Sequence, residues 1–165
     1  MALVGPEALS RAMATLPSLD RQALEEASPL NYLPIATAEA LFTTVAREVG
    51  RDMEGLHEQV SRTSLEQNLK TIWRLLLRFT SDEALIARTP VMFGKAFPQG
   101  AMRPRIISPG RAEIRIEQWP NMPDYAIRGT RVAVETVLRL AGRMSVKVST
   151  QRSADGVVYG ATWLV

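Results

Sequence analysis

Apolar side chains recur at helical spacing over the first part of the chain. In residues 37–52 they fall three and four positions apart, which predicts an amphipathic helix that ends near Gly50. A short, mostly polar helix is predicted over residues 52–62, and a broad apolar stripe over residues 65–79 predicts a central helix. The pattern therefore predicts a helical first half.

Capping residues and a proline mark the ends of the later helices. Thr63 and Glu66 match the capping-box pattern at the start of the central helix. The next helix is expected to begin at Thr80 or Ser81 and to kink at Pro90.

Residues 1–34 are predicted to form a helical and extended appendage, and residues 35–165 a single α+β domain. Two short helices fit the appendage, the first with Pro6 at its first position. Further prolines interrupt this stretch at Pro17, Pro29 and Pro34.

Alternation of apolar and polar side chains replaces helical spacing after Gly100. It predicts a half-buried strand over residues 112–118, which follows a proline–glycine turn at 109–110. A second hairpin is predicted from residue 144 onward, with its turn at residues 154–156. We therefore predict an α+β fold in which N-terminal helices precede a four-stranded antiparallel sheet (ββαββ) packed against helices.

A long amphipathic helix is predicted between the two hairpins, with Asp124 as its N-cap. It contains a glycine where that residue costs about 1 kcal/mol relative to alanine. On a helical wheel a bulky apolar stripe faces the sheet, and a second, mostly small stripe adjoins it. The small stripe lets another backbone approach, either a helix of the same domain or a second copy in a homodimer. Its residues are Gly129, Ala133, Thr136 and Leu140.

The residue inventory excludes several kinds of chemistry. The chain has no cysteine, and His57 is its only histidine, so thiolate sites and multi-histidine metal sites are excluded. His57 has acidic neighbours and no nucleophile motif, which indicates a surface helical residue. Glycine-rich phosphate-binding loops are also missing. We expect no enzyme activity, no metal and no cofactor.

Arginine is the one enriched residue type with functional chemistry, and four arginines lie in the first predicted hairpin. They are typical of a charged edge strand that resists aggregation, or of a patch that binds an anionic ligand, a membrane surface or a protein. The formal net charge of only +3 and the single nearby aromatic residue, Trp119, argue against nucleic acid. The four candidates are Arg103, Arg105, Arg111 and Arg115.

No apolar run reaches the roughly 18 residues that cross a bilayer. The first residues also lack the basic and apolar pattern of a signal peptide. We therefore expect a cytoplasmic protein without a transmembrane segment.

The stretch "PDYAIRGTRVAVETVLRLAGRMSVKVSTQRSADGVVYGATWLV" resembles the C-terminal half of a small uncharacterised family abundant in myxobacteria. Gly129, Gly142 and Trp163 carry most of this resemblance. More widely, the chain from Thr37 onward resembles the ligand-binding fold shared by the vinyl-4-reductase domain, the heme-nitric-oxide-binding domain and the TRAPP trafficking subunits. The resemblance implies a four-stranded α+β domain, often a homodimer, with a sensing or scaffolding role.

The chain departs from the heme-binding members of that fold. They need an axial histidine and a Y-x-S-x-R motif for the heme propionates. Tyr125 is followed by Ala126-Ile127-Arg128, and His57 lies well before the expected ligand segment. The resemblance therefore does not extend to heme binding.

The leading hypothesis is a non-enzymatic ligand-sensing or protein-interaction domain in cytoplasmic signalling. A pocket for a small hydrophobic ligand is expected between the sheet and the helices, near Trp73 and Tyr125, which are also ordinary core residues in the simpler interpretation. The alternatives are an adaptor that binds other proteins through its surface and, less favoured, nucleic-acid binding through the arginine-rich hairpin.

Overall fold

The structure, a computed structural model, describes residues 3–28, 32–68 and 80–164. The chain divides into two compact units, Met1–Val60 and Ser61–Val165. This division lies well after the boundary expected at residue 34, and the appendage stays a prediction. In the described ranges, no helix is both long enough and apolar enough to span a membrane.

The N-terminal unit is helical. It contains α1 (Pro6–Thr15), α2 (Ser18–Glu25), α3 (Ile35–Glu48) and the start of α4 (Met53–Asn68). Pro6 is the first residue of α1, as predicted, because its missing N–H is not needed there. The Thr37 hydroxyl donates a hydrogen bond to Asp20 at 2.7 Å and so ties α3 to α2. Small and branched side chains form the core of this unit: Ala12, Val45, Ala46 and Leu56.

Residues 53–68 form one continuous helix, so the prediction of two helices divided by a capping box at Thr63 is wrong. No glycine or proline occurs at residues 60–68, where the two predicted helices would meet, and the helix continues. The true cap is Asp52, whose carboxylate accepts hydrogen bonds from the backbone N–H groups of Glu54 and Gly55 at 3.2 and 2.6 Å.

The described part of the C-terminal unit begins with two short helices, α5 (Asp82–Ala87) and α6 (Thr89–Ala96). Ser81 caps α5 by accepting a hydrogen bond from the N–H of Ala84 at 3.2 Å, which confirms it as the cap. Pro90 lies in the first turn of α6, so it starts a new helix where a kink was expected. The predicted apolar stripe beyond residue 68 lies outside the described residues.

The sheet has four strands: β1 (Ala101–Ser108), β2 (Arg111–Glu117), β3 (Met144–Ser153) and β4 (Gly156–Leu164). Their order is β1-β2-β4-β3, and every neighbouring pair is antiparallel. Helix α7 (Asp124–Leu140) connects the two hairpins. Its N-cap is Pro123, so Asp124 is the first helical residue and not the predicted cap. The predicted α+β class and the ββαββ order are confirmed.

One face of this sheet forms a hydrophobic core. Ile114 of β2 pairs in register with Tyr159 of β4, and both are completely buried. Helix α7 packs against β3 and β4. The Tyr159 hydroxyl donates a hydrogen bond to the backbone carbonyl of Ile127 in α7 at 3.3 Å, and burial raises the pKa of this phenol well above its ordinary value of 10.0. Tyr159 therefore stays protonated in the folded protein at neutral pH.

Tyr159→Phe tests this buried phenol. At pH 8 we expect the variant to lose about 1 kcal/mol of unfolding free energy with its hydrogen bond. Above pH 10 the unfolded phenol ionises while the folded one stays protonated, so the wild type loses about 1.4 kcal/mol per pH unit and the gap in unfolding free energy closes by about pH 11. Urea denaturation at pH 8 and 11 measures both effects. Tyr32→Phe, at a tyrosine that is 49% exposed, is the control. A gap between Tyr159→Phe and the wild type that is constant with pH would contradict the account.

Candidate functional site

The arginines predicted in the first hairpin share one face of the sheet. In the register of β1 and β2, Arg103 lies opposite Arg115 and Arg105 lies opposite Glu113. Their side chains point away from the buried face, because the intervening positions Ile114 and Ile116 are in the core. The side chains of Arg103, Arg105 and Arg115 are 69%, 71% and 52% exposed. The hairpin thus presents its arginines to solvent.

Two glutamates are interleaved with these arginines. Glu113 accepts a hydrogen bond from Arg115 at 2.8 Å and lies 3.7 Å from Arg105. The hydrogen bond from Arg115 holds the pKa of the Glu113 carboxyl below its usual value, and the charges of Arg105 and Arg111 add to the effect. Glu117 pairs more loosely with Arg103 at 3.6 Å. The arginines still outnumber the glutamates on this hairpin.

A shallow groove of about 390 Å³ lies in this face. It is lined by Arg103, Pro104, Arg105, Glu113 and Arg115. Beside it, Glu113 is in register with Gly160 of β4, and Gly160 is in register with Ser149 of β3. The Ser149 hydroxyl lies over Gly160, where a Cβ would come within 2.9 Å of it, and it donates a hydrogen bond to the Gly160 carbonyl at 3.3 Å.

Of the two aromatic residues predicted to line a pocket, the structure describes only one. Tyr125 lies in the first turn of α7 and is half-buried. Trp73 lies outside the described residues. Tyr125 and Thr136 project from the same flank of α7, since eleven residues are close to three helical turns. Thr136 is 2% exposed, and its hydroxyl oxygen has no hydrogen-bond partner within the described ranges.

The small stripe of α7 is largely covered within the single chain. Thr136 and Leu140 are buried, and Gly129 and Ala133 are half-buried. Residues that are already covered have little surface to offer a second copy, so the burial favours a contact within the chain. The homodimer stays a prediction.

A charged network that the sequence did not reveal connects α5 with the end of the sheet. The Arg143 guanidinium, which follows α7, donates to Asp82 at 2.8 Å and to the carbonyl of Thr80 at 2.7 Å. The indole N–H of Trp163 in β4 donates to the other oxygen of Asp82 at 3.1 Å. The Arg143 and Asp82 side chains are only 12% and 16% exposed. This network therefore joins α5, β4 and the loop that follows α7, at a place largely shielded from bulk water.

His57 is buried, so its interpretation as a surface residue is wrong. It lies in the second turn of α4, is 4% exposed, and contacts the Phe42 ring of α3 edge-to-face at 5.0 Å between centroids. Phe42 itself packs on the core of the N-terminal unit, so the imidazole fills space in that core. Its acidic neighbours at 54 and 58 suggested exposure, but the helix turns His57 toward its apolar side.

The fold is shared with solved structures of H-NOX proteins. The Fe(II) unliganded H-NOX protein from K. algicida aligns with a TM-score of 0.68 at 7% identity, over 98% of this chain and 88% of its own. An H-NOX protein from S. oneidensis in the Fe(II)NO ligation state aligns with a TM-score of 0.60 at 8% identity, over 96% of this chain and 98% of its own. A structure from work on heme distortion in the H-NOX family aligns with a TM-score of 0.58 at 9% identity, over 95% of this chain and 93% of its own.

These similarities establish an H-NOX fold, in agreement with the heme-nitric-oxide-binding part of the resemblance. No protein-family model matches the sequence, and no curated protein sequence matches it. The relations to the myxobacterial family, the vinyl-4-reductase domain and the TRAPP subunits stay predictions.

The residues of this chain do not fit heme. The only histidine, His57, is packed against Phe42 inside the N-terminal core, where a porphyrin would have to displace that ring. The Tyr159 hydroxyl is buried in the sheet core and donates to the Ile127 carbonyl, so it is not available to an iron. The whole sequence contains no cysteine and no Y-x-S-x-R motif. In the described parts of the chain, no group of three or more His, Cys, Asp or Glu side chains is placed to hold a metal ion.

Asp82→Asn tests the network at Arg143. The change removes the charge that compensates a largely buried guanidinium, so we expect a loss of about 3 kcal/mol of unfolding free energy, measured by urea denaturation. Asp124→Asn is the matched control, because Asp124 pairs with Arg152 where both side chains are at least half exposed. It should cost about 0.5 kcal/mol or less. Equal losses in the two variants would contradict the structural role of Asp82.

Proposed function

We propose that this chain is a non-enzymatic sensing or protein-interaction domain in cytoplasmic signalling that uses an H-NOX fold without heme. The observation that carries the proposal is the place of its only histidine. The fold is that of heme proteins, yet His57 serves as a packing residue against Phe42. A fold can keep its architecture while the chemistry of its site changes.

The flank of α7 that carries Tyr125 and Thr136 supports a sensing role. A buried hydroxyl without a partner is costly, and it is the kind of polar group to which a ligand can hydrogen-bond. The ligand proposed here is a small, mostly apolar molecule that carries one polar group. An adaptor that acts only through its surface is the alternative, and the arginine-bearing sheet face supports it. In either case a homodimer is a further proposal.

Titration with hemin tests the heme-free part of the proposal. We expect no saturable Soret band at one equivalent, with identical spectra for the wild type and His57→Phe, because His57 is enclosed in the N-terminal core. Circular dichroism of both proteins checks that they are folded. A sharp band in the wild type that His57→Phe abolishes would overturn the proposal.

A further inference from the structure

The outer face of the sheet carries a net positive charge equal to the net charge of the whole protein. The register places five cationic and two acidic side chains on it, a net of three positive charges, and the formal net charge of the chain is also +3. The cationic residues are the four hairpin arginines and Lys147 of β3; the acidic ones are Glu113 and Glu117. On the opposite face, which carries the hydrophobic core, Arg152 of β3 is neutralised by its ion pair with Asp124, so the unbalanced charge of the sheet is on the outer face.

The placement of Arg103 opposite Arg115 does not stabilise the sheet, so folding does not explain it. Like charges directly across an antiparallel pair destabilise the sheet. Only two carboxylates lie among the four arginines, and Glu113 is shared between Arg105 and Arg115. Each guanidinium carries five N–H donors, so most of the donor capacity on this face is directed at solvent. A charged edge that only prevented aggregation would not need like charges in register.

The edge of β1 favours docking on the face over addition of a strand. Pro104 is in the middle of β1, and β1 is at the edge of the sheet. Proline has no N–H, so this edge of the sheet lacks a donor where a further strand would need one. The groove beside Pro104 offers room for a main chain on the face itself.

The chemistry of this face favours carboxylates over a nucleic acid. No aromatic side chain occupies an outer-face position of the four described strands, so bases would have no stacking platform. Arg103 and Arg105 are two residues apart on one strand, about 7 Å, which equals the spacing of alternate side chains in an extended peptide. Guanidinium groups bind carboxylates through paired hydrogen bonds.

We propose that the outer sheet face binds an extended acidic segment of a partner protein, whose alternate carboxylates pair with Arg103, Arg105, Arg111 and Arg115. This inference rests on the proposed interaction role and names the chemistry of the partner. Its failure is distinguishable from failure of the heme-free proposal, because the hemin titration does not involve the sheet face.

The test uses a fluorescein-labelled peptide, Ser-Glu-Ser-Glu-Ser-Glu-Ser, and fluorescence anisotropy with the full chain. We expect saturable binding that weakens with salt, and about tenfold weaker binding when Arg103→Gln and Arg105→Gln are combined. The control protein combines Arg47→Gln with Arg88→Gln, which removes two exposed arginines outside the sheet and should bind like the wild type. The control peptide carries Gln in place of Glu and should not bind.

Four results would overturn the proposal. They are no binding at about 1 mM peptide, equal binding of the Glu and Gln peptides, equal weakening in the two arginine variants, and tighter binding of single-stranded DNA than of the acidic peptide.

Light scattering of the chain alone completes the test. Residues 1–60 contain nine acidic and four basic residues, so a mass increase that the sheet variant abolishes would identify a second copy as the occupant and replace the proposed partner.

Discussion

The pairing of β2 with β4 is the constraint on which the C-terminal unit depends. Each hairpin alone would be marginal, and this pairing joins them into four strands with a buried face. The register runs from Arg111 opposite Thr162 to Ile116 opposite Val157. Because side chains alternate between faces, a slip of one residue would exchange the core for the charged surface. The register that places Ile114 on the buried face of the sheet therefore also places the hairpin arginines on the outer face.

The Asp82 network supports this sheet at one end. Arg143 lies between α7 and β3, and Trp163 is near the end of β4, so a carboxylate at the start of α5 holds both. The backbone N–H of Trp163 also donates to the carbonyl of Gly110 in the turn between β1 and β2 at 2.9 Å. Hydrogen bonds thus link both hairpins and α5 at the same place, which limits the ways in which the layers can shift.

Local periodicity predicted much of the fold because the strands and α7 are strongly patterned. Alternation over residues 112–118 and the proline–glycine turn at 109–110 led directly to β1 and β2. The start of α4 does not follow from the capping-box pattern at Thr63 and Glu66, because that pattern caps a helix only where one begins, and Asp52 is the cap that the structure shows. His57 was misjudged because adjacent charges say little about which side of a helix a residue occupies.

The candidate site was predictable only in part, for a physical reason. The four arginines were visible in the sequence, but their common face and the opposition of Arg103 to Arg115 depend on strand register. The Asp82 network joins residues 61 and 81 positions apart, and no local pattern encodes such pairs. The buried hydroxyl of Thr136 likewise became notable only when its surroundings were known.

The central claim is that an H-NOX fold is used here without heme. Native mass spectrometry of the protein purified from its own host tests this most directly, because the cell then supplies whatever the chain binds. The account predicts the mass of the polypeptide, alone or with a small apolar molecule. A stoichiometric heme adduct in that spectrum would contradict it.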